Sequence, residues 1–134
     1  MRITVLLADS AAGVRKTEKA LLENEPDFEI VGEAEDETAA IKLIDSLQPQ
    51  VVLTDFGLRP SGKVLAKQAK SQNPRIKVLG VTELKGKYVR TFLKIFGADE
   101  LLDKKDLETK LVPTVRLVTR EQNFLAKSIV KAII

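Results

Sequence analysis

The sequence predicts an α/β fold in which a five-stranded parallel sheet is doubly wound, with helices on both faces. Three observations carry this. Short apolar runs of strand length recur at 3–8, 28–34, 51–54, 78–81 and 101–102. Between them lie segments whose apolar residues fall at helical spacing. The two patterns alternate along the chain, and near-continuous apolar strands alternating with helices indicate a parallel sheet covered on both sides. Right-handed crossovers then wind it in both directions.

The elements follow in order. Residues 3–8 form the first strand, and Val14, Leu21 and Leu22 mark the inner face of the first helix. Residues 28–34 (FEIVGEA) alternate in character and make the second strand. Ala39, Ala40, Leu43, Ile44 and Leu47 lie on one side of the second helix, which Gln48-Pro49 stops. Residues 51–54 are the third strand. Val64, Leu65 and Ala69 face inward on the third helix, Lys63, Lys67 and Lys70 outward, and Asn73-Pro74 ends it. After the fourth strand, 78–81, Val89, Phe92, Leu93 and Phe96 form a core stripe, and Gly97 is a natural helix terminator. Leu101-Leu102 is a short fifth strand. The last helix turns Leu111, Val115 and Val118 inward. A start near Thr109 would keep Pro113 among the first residues, whose N–H groups need no partner. Residues 1–118 therefore read as one domain. Residues 119–134 read as a polar joint followed by a linker or extra helix with Leu125, Ile129, Val130 and Ile133 on one side. That stripe is expected either to pack back or to meet a partner helix, with self-association favoured.

Composition narrows the chemistry. The chain has 134 residues, no Cys and no His. It therefore has no disulfide, no thiol chemistry, no histidine base and no histidine zinc ligand. No apolar run is long enough to span a membrane, no signal peptide is visible, and a cytoplasmic location is expected. Residues 1–50 carry 5 Lys/Arg and 11 Asp/Glu, whereas residues 51–134 carry 17 and 8. The cations are spread over many helix faces, as in an ordinary solvated surface.

Ligands of open α/β sheets bind outside the carboxyl ends of the strands. Here the first strand runs into Asp9-Ser10, the third ends on Asp55, the fourth on Thr82 and the fifth on Asp103-Lys104. Each residue alone has an ordinary role open to it, as a cap, a turn or a surface group. Together they would converge if the first, third, fourth and fifth strands lie side by side. Two neighbouring carboxylates suit a hard cation such as Mg²⁺. A carboxylate is also a nucleophile toward phosphorus. Lys104 and the Thr82 hydroxyl would grip the phosphoryl oxygens, and a backbone carbonyl just after Asp55, at Gly57, would complete a metal shell. Asp55 is then the expected phosphoryl acceptor.

These residues and their order resemble the receiver domain of two-component response regulators, most of all the receivers of LuxR-type DNA-binding regulators. "VLLADS" followed by "AAGVR" resembles that group's opening, and "PDFEIVGEAEDETAAI" its second strand and helix. "PQVVLTDF" resembles the phosphoacceptor strand, "VLGVT" supplies the hydroxyl residue, and "GADELLDK" the lysine. "VRLVTREQNFLAKSIVKAII" resembles the last helix and the start of a linker. The resemblance implies a flavodoxin-like strand order, 2-1-3-4-5. It also implies phosphoryl transfer to Asp55 from a sensor histidine kinase or a small acyl phosphate, with Thr82 and Lys104 assisting. Mg²⁺ would sit on Asp9, Ser10, Asp55 and Gly57. The chain would be a signalling domain rather than an enzyme. Its phosphorylation would switch a homodimer or an output domain, with DNA reached only through an output domain outside this chain.

Four departures from the family's pattern matter. Ser10 stands where the family has a second acid, a direct metal ligand, so Mg²⁺ is expected to bind weakly. Glu83 follows Thr82 where a small residue is usual; it would either replace the lost charge or crowd the pocket. The loop after Asp55 has Pro60 and Gly62 shifted from their usual spacing. Leu101 replaces the aromatic that the family couples to the hydroxyl residue. An alternative follows: a receiver-like interaction module that Ser10 and Glu83 keep unphosphorylated. An aspartyl-phosphate phosphatase would want an acid at Gly57, and a dinucleotide enzyme a glycine-rich turn absent after Asp9. Direct DNA binding by the basic half has no recognition-helix motif behind it.

Overall fold

The computed structural model describes residues 2–56, 61–86 and 88–133, without the side chains of 61–63, 89, 92 and 121–133. Its elements are β1 (Ile3–Ala8), α1 (Ala12–Glu23), β2 (Phe28–Ala34), α2 (Glu37–Leu47), β3 (Val51–Asp55), α3 (Ser61–Gln72), β4 (Lys77–Thr82), α4 (Val89–Ile95), β5 (Glu100–Asp103) and α5 (Leu107–Ile133). A short 3₁₀ turn, Lys104–Asp106, joins β5 to α5. The five strands are parallel in the order β2-β1-β3-β4-β5, as the resemblance implied.

Strand side chains alternate between two cores, because successive residues of a strand point to opposite faces. Val5, Leu7, Val51, Leu53, Leu79 and Val81 meet Leu22 of α1 and Leu107, Leu111, Val115 and Val118 of α5. Leu6, Ala8, Val52 and Val78 meet Ala40 and Ile44 of α2, Leu65, Ala66 and Ala69 of α3, and Leu93 of α4. Helix ends follow from local chemistry. The Asp36 carboxylate accepts from the Ala39 N–H at 2.8 Å and starts α2. Gln48 closes α2 in the left-handed region (φ 45°), its amide donating to the Ile44 carbonyl at 3.0 Å. Gly97, at φ 107°, turns the chain out of α4, a backbone geometry that favours glycine. Asp99 ties α3 to the sheet, accepting from Lys70 at 2.6 Å and from the Val78 N–H at 2.7 Å.

Four expectations need correction. Phe96 is 40% exposed, because α4 has only seven residues and Phe96 already lies past its end. Val64 also faces outward, since Leu65, Ala66 and Ala69 fill the inner side of α3. Pro113 stands well inside α5, which begins at Leu107 directly after the 3₁₀ turn. Its ring is exposed and its neighbours Leu111 and Val115 are fully buried, and that burial offsets a proline cost of about 3 kcal/mol. The expected polar joint after residue 118 is helical, continuous with α5. The side chains of Leu125, Ile129, Val130 and Ile133 lie outside the described residues. Among the described residues no helix is long and apolar enough to cross a membrane.

Candidate functional site

Strand register brings the predicted residues to one rim. Ala8 pairs with Thr54, Asp55 with Val81, and Thr82 with Asp103, so Asp9, Asp55, Thr82 and Lys104 follow one another across the carboxyl edge. They do not all share one pocket. Asp9, Ser10 and Asp55 line a cleft of about 200 Å³ whose far wall is Glu35, Asp36 and Glu37. Thr82 lines a neighbouring hollow of about 240 Å³ with Leu84, Lys85, Arg90, Leu101 and Lys105. Lys104 is held by Glu83, Nζ to Oε1 3.3 Å. Gly57 lies outside the described residues.

Each side chain is placed by its own local bonds. Asp9 is buried, and its Oδ1 accepts from the Ala11 N–H at 2.8 Å, fixing the turn into α1. Its Oδ2 is buried with no hydrogen-bond partner. The Arg15 guanidinium donates to the Asp9 backbone carbonyl and pairs with Glu33. The buried Thr82 hydroxyl accepts from the Leu84 N–H at 3.0 Å, which leaves its own proton available to a ligand. Glu83 is exposed and spends its charge on Lys104; it is not among the residues of the acidic cleft.

Two fully buried residues escape the sequence reading. Glu18 is 1% exposed, on the core face of α1, with Oε1 unpartnered. Burial pushes its carboxyl up to about 8, and the Asp9 charge adds to the rise; Lys104 and Arg15 oppose it, and Asp55 adds a smaller push. The signal was present: Val14, Leu21 and Leu22 set a stripe whose missing i+4 position is Glu18. Phe56, directly after Asp55, is fully buried and its N–H donates to the Val81 carbonyl at 2.8 Å. It lies over Gly80, where an added Cβ would come within 2.8 Å of Phe56 Cβ and of Leu101 Cδ2.

The fit to Mg²⁺ can be tested on these groups. Mg²⁺ keeps several waters and is commonly held by one or two carboxylates. Asp9 and Asp55 supply two, and the orphaned Asp9 Oδ2 is an atom a cation would satisfy. Among the described residues no three acidic side chains stand close enough to enclose a metal unaided. The donor set fits a hydrated, weakly held Mg²⁺.

Comparison with known proteins agrees with this geometry. Residues 5–116 match the model of the response regulator receiver domain family. The chain is 32% identical over 111 residues to protein-glutamate methylesterase/protein-glutamine glutaminase 2 of Oleidesulfovibrio alaskensis, covering 81% of this chain and 31% of that protein. It is 27% identical over 121 residues to the transcriptional regulatory protein DegU of Brevibacillus brevis, covering 89% and 51%. The chain thus spans about half, or less, of the length of these relatives. Among solved structures, the receiver domain of NarL from Mycobacterium tuberculosis superposes with a TM-score of 0.76 at 26% identity, covering 85% of this chain and 93% of that one. A LuxR-family response regulator from Aurantimonas gives 0.80 at 23% identity over 88% and 85%, a likeness of fold.

Proposed function

The chain belongs to the response regulator receiver domain family, and from that premise we propose that it accepts a phosphoryl group on Asp55. The observation that carries this reading is the shared cleft of Asp55 and Asp9 at the carboxyl edge of the sheet, with Thr82 and Lys104 on the same rim. A carboxylate oxygen of Asp55 attacks phosphorus. The bond from phosphorus to the donor's nitrogen or acyl oxygen breaks, and the donor leaves with that electron pair. The donor is a partner histidine kinase or a small acyl phosphate, since this chain has no His of its own. Asp9 and Asp55 would hold Mg²⁺, which when bound neutralises charge on the transferring oxygens.

The remaining work falls to Thr82 and Lys104. The Thr82 hydroxyl turns its proton toward a phosphoryl oxygen. The Lys104 ammonium exchanges the Glu83 carboxylate for another. Movement of Thr82 pulls on the Leu84 N–H and reshapes the hollow lined by Lys85 and Arg90. That surface, with the exposed Tyr88 beside it, would pass the signal to a second copy or to an output domain. Residues 1–118 are the receiver and residues 119–134 lead out of it. An output on DNA, a homodimer and a cytoplasmic setting fit the transcriptional regulators among the relatives. The methylesterase relatives share only the matched third of their length.

A second reading has its own observations. Ser10 brings no charge to the cleft, and Glu83 already occupies Lys104. Both favour an interaction module that is not phosphorylated. Incubation with Mg²⁺ and a small acyl phosphate, followed by intact mass measurement, decides between them. One phosphoryl adduct, absent from Asp55→Asn, is expected; a chain that stays unmodified belongs to the silent module.

A further inference from the structure

Three acids stand in register at the ends of neighbouring strands. Ala34, Ala8 and Thr54 pair across β2, β1 and β3, and each is followed by a carboxylate: Glu35, Asp9 and Asp55. The Asp9 N–H donates to the Ala34 carbonyl at 3.1 Å, so the chain at Glu35 leaves the sheet beside the chain at Asp9. Glu35, Asp9 and Asp55 line the same cleft of about 200 Å³, and no Lys or Arg lines it among the described residues.

Local structure gives Glu35 no other task. It lies past the end of β2, and it is Asp36 that caps α2, accepting from the Ala39 N–H. Glu37 sits in the first turn of α2, where a negative charge suits the helix dipole. Glu35 is exposed and makes no hydrogen bond or ion pair among the described residues. Acids gathered in this way repel one another, and one of them points to what relieves the repulsion. Asp9 is 6% exposed, lines the cleft, and has no hydrogen-bond partner for its Oδ2. A buried carboxylate oxygen left without a donor is costly, and a cation in the cleft satisfies it.

We propose that Glu35 is a further residue of the cation site, an outer carboxylate that accepts hydrogen bonds from the waters of a divalent ion and supplies charge that Ser10 does not. This role rests on the reading of Asp9 and Asp55 as the ion's direct ligands. No three acids enclose one point among the described residues, so Glu35 acts across water. Mg²⁺ suits that division, because it keeps several waters and takes only one or two carboxylates directly. Groups placed behind direct ligands commonly tune metal affinity by about 10- to 100-fold, and an exposed one falls at the low end because salt screens it.

The test grades the charge at one position. Mn²⁺ binding is measured from the free-ion electron paramagnetic resonance signal, at low ionic strength, for the full chain and for Asp9→Asn, Glu35→Gln and Glu35→Lys. Circular dichroism confirms that each is folded. Asp9→Asn should lose most of the binding. Glu35→Gln is expected to bind Mn²⁺ about five- to tenfold more weakly, and Glu35→Lys by roughly the square of that factor, since the charge changes twice as far. At about 0.5 M KCl both differences should shrink to within about twofold. Unchanged binding by Glu35→Gln, with Asp9→Asn impaired, overturns this proposal alone. Equal losses in Glu35→Gln and Glu35→Lys, or losses that salt leaves untouched, also overturn it, because Glu35 then serves the shape of the loop and not its charge. No Mn²⁺ binding by the unaltered chain, or binding that Asp9→Asn does not change, overturns both this proposal and the cation reading of Asp9 and Asp55.

Discussion

Replacing Glu18 by Gln should remove a large pH dependence of stability. The carboxyl ionises near its ordinary 4.5 in the unfolded chain and near 8 in the fold, chiefly because it is buried. Between those values the folded state holds a proton that the unfolded state has lost. Stability therefore falls as pH rises through the window, is untouched below it, and reaches its full loss above it. Each pH unit in the window withdraws about 1.4 kcal/mol, so about 3 kcal/mol is gone at pH 7 and about 4 at pH 8, where the folded group is half ionised. Against the 5–15 kcal/mol or so that holds a domain together, this is a large share. Gln keeps the size and the neutral hydrogen-bonding character of the protonated acid. Urea unfolding followed by far-ultraviolet circular dichroism, at several pH values from about 5 to 8 without divalent cations, measures the difference. The two proteins should be nearly equal at the acid end and separate steadily, with the Gln variant about 3 kcal/mol the more stable at neutral pH. Curves that stay parallel across the range would refute the buried, repelled carboxylate.

Other consequences are equally concrete. Gly80→Ala should lower stability by about 1–3 kcal/mol, read as a lower melting temperature, because the new methyl meets Phe56 and Leu101 at 2.8 Å. Asp99→Asn weakens the contacts to Lys70 and Lys77 while keeping an acceptor for the Val78 N–H; a loss of about 1–2 kcal/mol is expected in the same melt. Glu83→Ala releases Lys104, and phosphoryl-protein formed from an acyl phosphate should accumulate up to about fivefold faster, the ceiling for an exposed ion pair of about 1 kcal/mol. A slower Glu83→Ala would mean that Glu83 assists the site.

The rim of the site was legible because of where carboxylates fall in apolar strands. Leu53-Thr54-Asp55 and Leu7-Ala8-Asp9 announce a charge at a strand's carboxyl end, and strand alternation with helices then fixes which edge they share. What escaped depends on partners distant in the chain. Glu83 and Lys104 meet across two strand ends. Phe56 and Gly80 read separately as a large and a small residue; their fit exists only once β3 and β4 lie side by side. Glu18 was missed for a different reason. The apolar residues of the first helix mark its inner face, and a charged residue in the gap at Val14 plus four reads as a break in that face and not as a buried group. The inward placement of Phe96 failed because the apolar spacing ran on past the last turn of α4.

The Phe56–Gly80–Leu101 contact also constrains how this sequence can vary. Leu101 Cδ2 and the Cβ and Cγ of the buried Phe56 close over a residue that has no side chain. A methyl added at 80 would meet the Phe56 Cβ itself at 2.8 Å, and every residue but glycine keeps that atom, so a smaller side chain at 56 does not make room for one at 80. Position 80 is therefore closed to any side chain whichever apolar residue stands at 56, and variation in this corner of the core falls to 56 and 101 alone.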